Sequence, residues 1–255
     1  MKRIIICTMA FFLSYSLAFS QAWADDPVSQ QTRTRQSAEL RQLVDMGVPE
    51  TVAHKMQSRF EASQMVQVQS ILQTAKAQGL PIEPLADKAL EGIAKNVPAD
   101  RIVQAMEQVQ SRYAAAMADA QEITPTQTRQ RSLTRTMAQA MSAGMQPEEI
   151  EAIADRLRTR KRTMTRDECD QLAETTFTAA RDMVRMGASG EVVADTINVA
   201  IEEGYTADQM QHIRSQFMHQ AQQIDANMVA NQFRERVRTG QDVADDGGGI
   251  ILPPA

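Results

Sequence analysis

Aromatic residues and cysteines are scarce in this chain of 255 residues, which contains one tryptophan and two cysteines. Strands favour aromatic residues and alternate apolar with polar positions, and neither signal persists anywhere in the sequence. A β-sheet protein is therefore excluded. Cys7 and Cys169 are too few for a disulfide framework, so a hydrophobic core must hold the chain together.

Long apolar runs are also lacking, with one exception at the N-terminus. Lys2 and Arg3 precede a stretch of apolar and small residues from 4 to 19, and Ala22-Trp23-Ala24 follows. This pattern is typical of a secretory signal peptide, and its apolar part is shorter than the about 20 residues of a membrane span. We expect residues 1–24 to be cleaved after Ala24, leaving a periplasmic or secreted protein without a transmembrane segment. An uncleaved N-terminal anchor is the alternative.

Excess positive charge is absent, because 27 Lys and Arg residues stand against 32 Asp and Glu residues, for a net charge of −5. This balance argues against a nucleic-acid partner. No Gly-rich phosphate loop, serine nucleophile motif or metalloprotease helix motif occurs in the sequence. We therefore expect neither an enzyme nor a bound cofactor.

Helix-forming residues make up much of the remainder, with Ala, Gln, Met, Glu and Arg dominant. Apolar residues recur three and four positions apart, as in Ile150, Ile153, Ala154 and Leu157, which is one face of an amphipathic helix. The sequence predicts an all-α protein. We expect long helices near 49–77 and 207–238 that extend to a partner.

The predicted helix ends share one local pattern. A Gly or Asn closes a helix, an apolar residue usually follows at once, and Pro, Ser or Thr opens the next helix with an acid in its first turn. The closing residues are Gly47, Gly79, Asn96, Gly144, Gly187 and Gly204. Capping boxes are predicted at 124–127 and 165–168.

The spacing of these breaks predicts an internal duplication. Residues 79–113 and 187–221, offset by 108, share eight identical positions. We predict duplicated helix-turn-helix units that form two similar helical bundles or a short helical solenoid. The first half is 34–121 and the second is 126–238, with a flexible N-terminus at 25–33 and a disordered tail at 239–255. Shared helix chemistry without common ancestry is the alternative.

Candidate metal ligands are few. His212 and His219 stand seven positions apart on one predicted helix, about 10 Å along its axis, and Asp208 precedes His212 by four. Zinc binds three or four protein ligands, so these residues need additional ligands from elsewhere to hold it. Exposed helix positions are the alternative interpretation.

Methionines recur at helical spacing in Met137, Met141 and Met145. Thioethers bind Cu(I), a methionine-rich groove suits adaptable partner binding, and methionine also fills helical cores. All three interpretations fit the spacing.

The densest run of positive charge contains Arg156, Arg158, Arg160, Lys161 and Arg162. Such a run binds phosphate-bearing lipid heads or an acidic partner, or it is a solvated flexible connection. Cys169, which follows this run, is either a reactive thiol or a small buried side chain.

Two segments, Ile123-Thr124-Pro125-Thr126-Gln127 and Tyr205-Thr206-Ala207-Asp208-Gln209, resemble the L-T-x-x-Q motif of the small periplasmic helical stress chaperones. The resemblance implies a helical exported protein that binds unfolded clients or metal. We expect a non-enzymatic interaction protein that acts as an adaptor, scaffold or client-binding chaperone. A homo-oligomer is also compatible with the sequence. A metal-binding or metal-sensing envelope protein is the alternative.

Overall fold

A computed structural model describes residues 27–240, with the side chains of 27–30 and 32–34 left out. Over this range the chain forms eleven α-helices and no strand, which confirms the predicted all-α class. The helices are α1 (Pro27–Asp45), α2 (Glu50–Arg59), α3 (Ala62–Ala77), α4 (Glu83–Ala94), α5 (Ala99–Ile123), α6 (Gln127–Ala143), α7 (Pro147–Arg160), α8 (Arg166–Arg185), α9 (Gly190–Glu202), α10 (Ala207–Gln220) and α11 (Ala226–Arg238). A single 3-10 turn, Lys161–Thr163, joins α7 to α8.

The predicted terminal segments fall largely beyond this range. The predicted signal peptide, 1–24, and residues 241–255 of the predicted tail lie outside the described residues. Residues 27–33, expected to be flexible, belong to α1. Thr239 and Gly240 form the turn that ends α11.

All six predicted helix ends are confirmed. The closing residues have positive φ, from 52° at Asn96 to 130° at Gly144. At the first of them the Gly47 amide donates to the Val44 carbonyl at 2.9 Å, and the Val48 amide donates to Leu43 at 3.1 Å. The same pair of bonds recurs at the other five ends, which makes each a Schellman motif. This motif explains why an apolar residue follows, since that residue packs back on the last helical turn.

The two predicted capping boxes have different outcomes. Thr165 and Glu168 form the predicted box at the start of α8. The box at 124–127 is wrong, because Thr124 is buried in the turn that closes α5 and its Oγ1 accepts from the Thr126 amide at 3.3 Å. Thr126 is the N-cap of α6 and makes no side-chain capping bond.

The two long helices expected near 49–77 and 207–238 are also wrong, since each is two helices. Phe60 breaks the first by adopting an extended conformation with its ring buried, and Gln64 then accepts a hydrogen bond from the Glu61 amide at 3.1 Å. Asp225 restarts the second by capping the Met228 amide at 3.0 Å. Both breaks let the following helix pack on the core instead of extending away from it.

The described residues divide into two compact units, 27–73 with 82–103 and 74–81 with 104–240. The division falls within α3 and within α5. In the first unit, α2 packs against α1 and α4. The proposed duplication stays a prediction.

The second unit is a two-layer stack of helix pairs. In the first row, α8 packs against α6 and α10; in the second row, α9 packs against α7 and α11. The rows pack on each other through a shared core that includes Phe177, Met183, Ile197, Phe217 and Phe233. Stacked pairs of this kind, each about 40 residues long, are typical of short helical solenoids.

Candidate functional site

The predicted basic segment, residues 156–162, is ordered, and most of its basic side chains contact other helices of the same chain. The Arg160 guanidinium donates to the Ile201 carbonyl at 2.7 Å and to the Gly204 carbonyl, at the C-terminal end of α9. Arg156 forms an ion pair with Glu202 at 2.7 Å. Arg160 therefore adds side-chain donors to carbonyls at the end of α9, and Arg156 pairs with a carboxylate of the same helix. These contacts show that the segment is not a flexible connection.

The rest of the basic segment contacts the end of α5. Arg158 forms ion pairs with Glu122 and Asp155 and lies 4.0 Å from Asp119, and Lys161 donates to the Glu122 carbonyl at 3.2 Å. Of the five predicted partner-binding basic residues, only Arg162 is exposed without a hydrogen bond or ion pair to the described residues. Intramolecular contacts already occupy the other four, and partner binding by this segment stays a prediction.

The first unit contains a contact of the same kind. Arg59, the last residue of α2, donates from Nη2 to the Val97 carbonyl at 2.8 Å, just past the end of α4. We call Arg59 and Arg160, with the carbonyls they bind, the arginine clamps. Sequence reasoning missed both, because donor and acceptor lie about 40 positions apart.

The three predicted methionines lie in the core and not on a surface. Met137, Met141 and Met145 are buried in the apolar cluster of the second unit. These three side chains therefore line no groove on the described surface. Their helical spacing is explained by core packing.

The predicted metal ligands share one helix and do not converge. Asp208 and His219 are exposed on α10, and His212 is half-buried with its Nε2 at 2.8 Å from Nε2 of Gln216. Among residues 27–240 with described side chains, no group of three or more His, Cys, Asp and Glu residues is arranged to hold a metal ion. The described side chains therefore supply no third ligand beside His212 and His219.

Cys169 is buried near the start of α8, as one of its two interpretations predicted. Burial raises the pKa of the Cys169 thiol. The positive charge of Lys161 lowers this pKa, and the negative charge of Asp170 raises it further. A buried thiol held in its protonated form is a poor nucleophile, so Cys169 serves as a packing residue.

Buried carboxylates join the three helices of the first row. The sequence did not predict these links. Asp182 of α8 accepts from Arg181 at 2.8 Å and from Arg214 of α10 at 2.6 Å, and Arg181 also donates to Gln139 of α6 at 3.2 Å. Burial alone would raise the pKa of Asp182, but the hydrogen bonds and charges of the two arginines outweigh it and lower the pKa. Asp182 is therefore an ionised link across the row.

A second buried link lies further along the same row. Nε of Arg129 in α6 is 3.1 Å from Oδ2 of the buried Asp170, and the same guanidinium is 3.7 Å from Glu174. Both acids are in α8, so this pair repeats the connection between the first two helices of the row.

The first unit contains a small pocket within the described residues. It measures about 220 Å³ and is lined in part by Phe60, Met65 and Arg35. Pockets for small-molecule ligands usually span about 300–1,000 Å³. Arg35 pairs with Glu39 at 3.0 Å, so the polar rim is already engaged and the space suits one side chain more than a cofactor.

Unpaired charges of opposite sign lie on the two rows of the second unit. Arg131 and Arg135, exposed one turn apart on α6, have no hydrogen-bond or ion-pair partner among the described residues, and α6 contains no acid. We call this pair the basic face. Glu148 and Glu151 of α7, equally exposed and likewise unpaired over the described range, form the acidic face.

The acidic face lies in an acid-rich part of the second unit. Burial raises the pKa of Asp119, Arg158 opposes this, and the nearby charges of Glu151 and Asp155 raise the pKa further. Glu151 therefore lies close enough to Asp119 for the two charges to repel each other. The composition of α6 and of the first turn of α7 is the signal that could have located both faces in the sequence.

Large apolar side chains are rarely exposed over the described residues. Val44, Val66 and Met228 are 41%, 60% and 41% exposed. Scattered apolar residues of this kind are ordinary on a protein surface. An interaction protein of any of the three expected kinds, adaptor, scaffold or client-binding chaperone, was expected to expose a large apolar patch, and none is seen on the part of the chain that the structure describes.

Over residues 27–240, none of the helices combines the length and the apolar character that crossing a membrane requires. No protein-family model, curated protein or solved structure matches the chain.

Proposed function

We propose that this protein is a non-enzymatic interaction protein of the bacterial periplasm, acting as an adaptor or scaffold. Stacked helix pairs build extended surfaces from many helices, and such surfaces are suited to protein partners. The stack of the second unit supports this proposal. The predicted signal peptide supports the location.

The basic face is the observation that carries the proposal. Like charges one helical turn apart destabilise a helix, and Arg131 and Arg135 have no counter-charge on α6 to relieve them. An acidic partner surface would relieve this repulsion and would gain association rate through complementary charge. The small number of exposed apolar residues favours this charged adaptor over a chaperone that binds unfolded clients.

Cross-linking in the intact envelope tests the proposal. We expect the wild-type protein to form a cross-linked complex that Arg131→Glu/Arg135→Glu loses, since the reversal places negative charge against an acidic partner. Arg41→Glu/Arg101→Glu is the matched control, because both arginines are exposed in the first unit and the change in net charge is equal. A complex that forms equally with all three proteins, or with none, would overturn the proposal.

A further inference from the structure

We propose that the partner of the basic face is the acidic face of a second copy of this chain. This inference rests on the proposed function and names its partner. Each face consists of two exposed like charges one turn apart, Arg131 with Arg135 and Glu148 with Glu151, and neither pair is neutralised within the described residues.

Charge complementarity is the first argument for a second copy. The basic face needs a surface with two or more unpaired carboxylates at helical spacing, and the start of α7 offers such a surface on the same chain. Glu191, exposed in the first turn of the neighbouring α9 and without a partner among the described residues, extends the acidic side. Bringing the faces of two copies together neutralises both at once.

The placement of the faces allows two forms of assembly. The basic face belongs to the first row and the acidic face to the second row, so each molecule carries one face of each kind. Two copies related by a two-fold axis exchange both contacts and stop at the dimer, whereas a single contact leaves one free face of each kind and continues head to tail.

Sedimentation of the protein purified after expression of the full chain tests this inference. At about 0.01 M salt, where charges interact over about 30 Å, we expect the average mass to rise with protein concentration above that of the monomer. At about 1 M salt, where this distance falls to about 3 Å, we expect the monomer mass.

Charge reversal identifies the surfaces. Arg131→Glu/Arg135→Glu and Glu148→Arg/Glu151→Arg should each be monomeric at low salt, whereas Arg41→Glu/Arg101→Glu should assemble like the wild type. Mixing the two monomeric variants should restore assembly, because an acidic α6 then meets a basic α7 and the unaltered faces also match. Unchanged circular dichroism and melting of each variant show that it is folded.

Three results would overturn the inference. They are a wild-type monomer at low salt, assembly that survives reversal of either face, and failure of the mixture to assemble. If the purified protein is monomeric while the envelope cross-link still depends on Arg131 and Arg135, the basic face binds a different acidic protein and the proposed function stands. If the cross-link fails as well, both are wrong.

Discussion

At the scale of single residues, the carboxylate of Glu149 serves two helix starts. It accepts a hydrogen bond from the Gln146 amide at 2.7 Å, which caps α7, and it also lies against Gly190, the first residue of α9. A Cβ built on Gly190 would be 2.0 Å from Oε2 of Glu149. A side chain at 190 would thus displace the carboxylate of a residue 41 positions away.

Replacing this glycine should therefore destabilise the protein. Gly190→Ala should cost about 1 kcal/mol of the free energy of unfolding, because the carboxylate must move and the cap of α7 weakens. In a Glu149→Ala background the same change should cost nothing or stabilise, since alanine is the better helix former. Urea unfolding of the four proteins in this double-mutant cycle measures the coupling. An equal cost in both backgrounds would show that the contact is not the cause.

At the scale of helices, local chemistry decided which features the sequence predicts. The six Schellman ends depend on residues within one turn of each other, so Gly47 and Gly187 were recognisable from their neighbours alone. The breaks at Phe60 and Asp225 were not recognisable, because burial of Phe60 and the return of α11 onto α9 are tertiary effects. The arginine clamps were missed for the same reason.

The clamp of α9 gives a prediction with its control in the same segment. Arg160→Met keeps an aliphatic stem but removes the guanidinium that donates to the Ile201 and Gly204 carbonyls. Because the Gly204 amide still donates to Ile201, we expect a loss of about 1 kcal/mol. Arg162→Met, two residues away, removes an exposed arginine that has no partner in the described structure and should change stability little.

Urea unfolding measures this difference, and hydrogen exchange locates it. The amides at the end of α9 should exchange faster in Arg160→Met than in Arg162→Met, because the helix end loses its anchor. Equal stability of the two variants would mean that the clamp contributes nothing measurable.

At the scale of the whole molecule, the all-α class followed from composition and periodicity, whereas the connections between helices did not. Asp182 meets partners 32 and 43 positions away through Arg214 and through the Arg181–Gln139 bond. No local pattern distinguishes such an acid from an exposed one. The basic and acidic faces differ from Asp182, because the sequence shows which charged residues form them. Only the folded structure shows that these residues have no partner among the described residues.

Asp182 gives the molecule a calculable response to acid. Its pKa is lower in the folded protein than in the unfolded chain, where an aspartate has a pKa of about 3.9. The ionised carboxylate therefore contributes stability that is fully present above the unfolded pKa and is lost as the pH falls through the folded pKa. Asp182→Asn removes this contribution and leaves Arg181 and Arg214 without their counter-ion.

We expect Asp182→Asn to cost about 2–3 kcal/mol at pH 7, below the roughly 3–5 kcal/mol of a fully buried pair, because both arginines are partly exposed. The difference in the free energy of unfolding between wild type and variant should decrease below about pH 4, because the Asp182 carboxylate of the wild type then becomes protonated and loses its charge. Urea unfolding at both pH values measures it, with Asp87→Asn on the exposed surface of α4 as control. A gap that is constant with pH would show that the first row is joined by packing and not by the charge of Asp182.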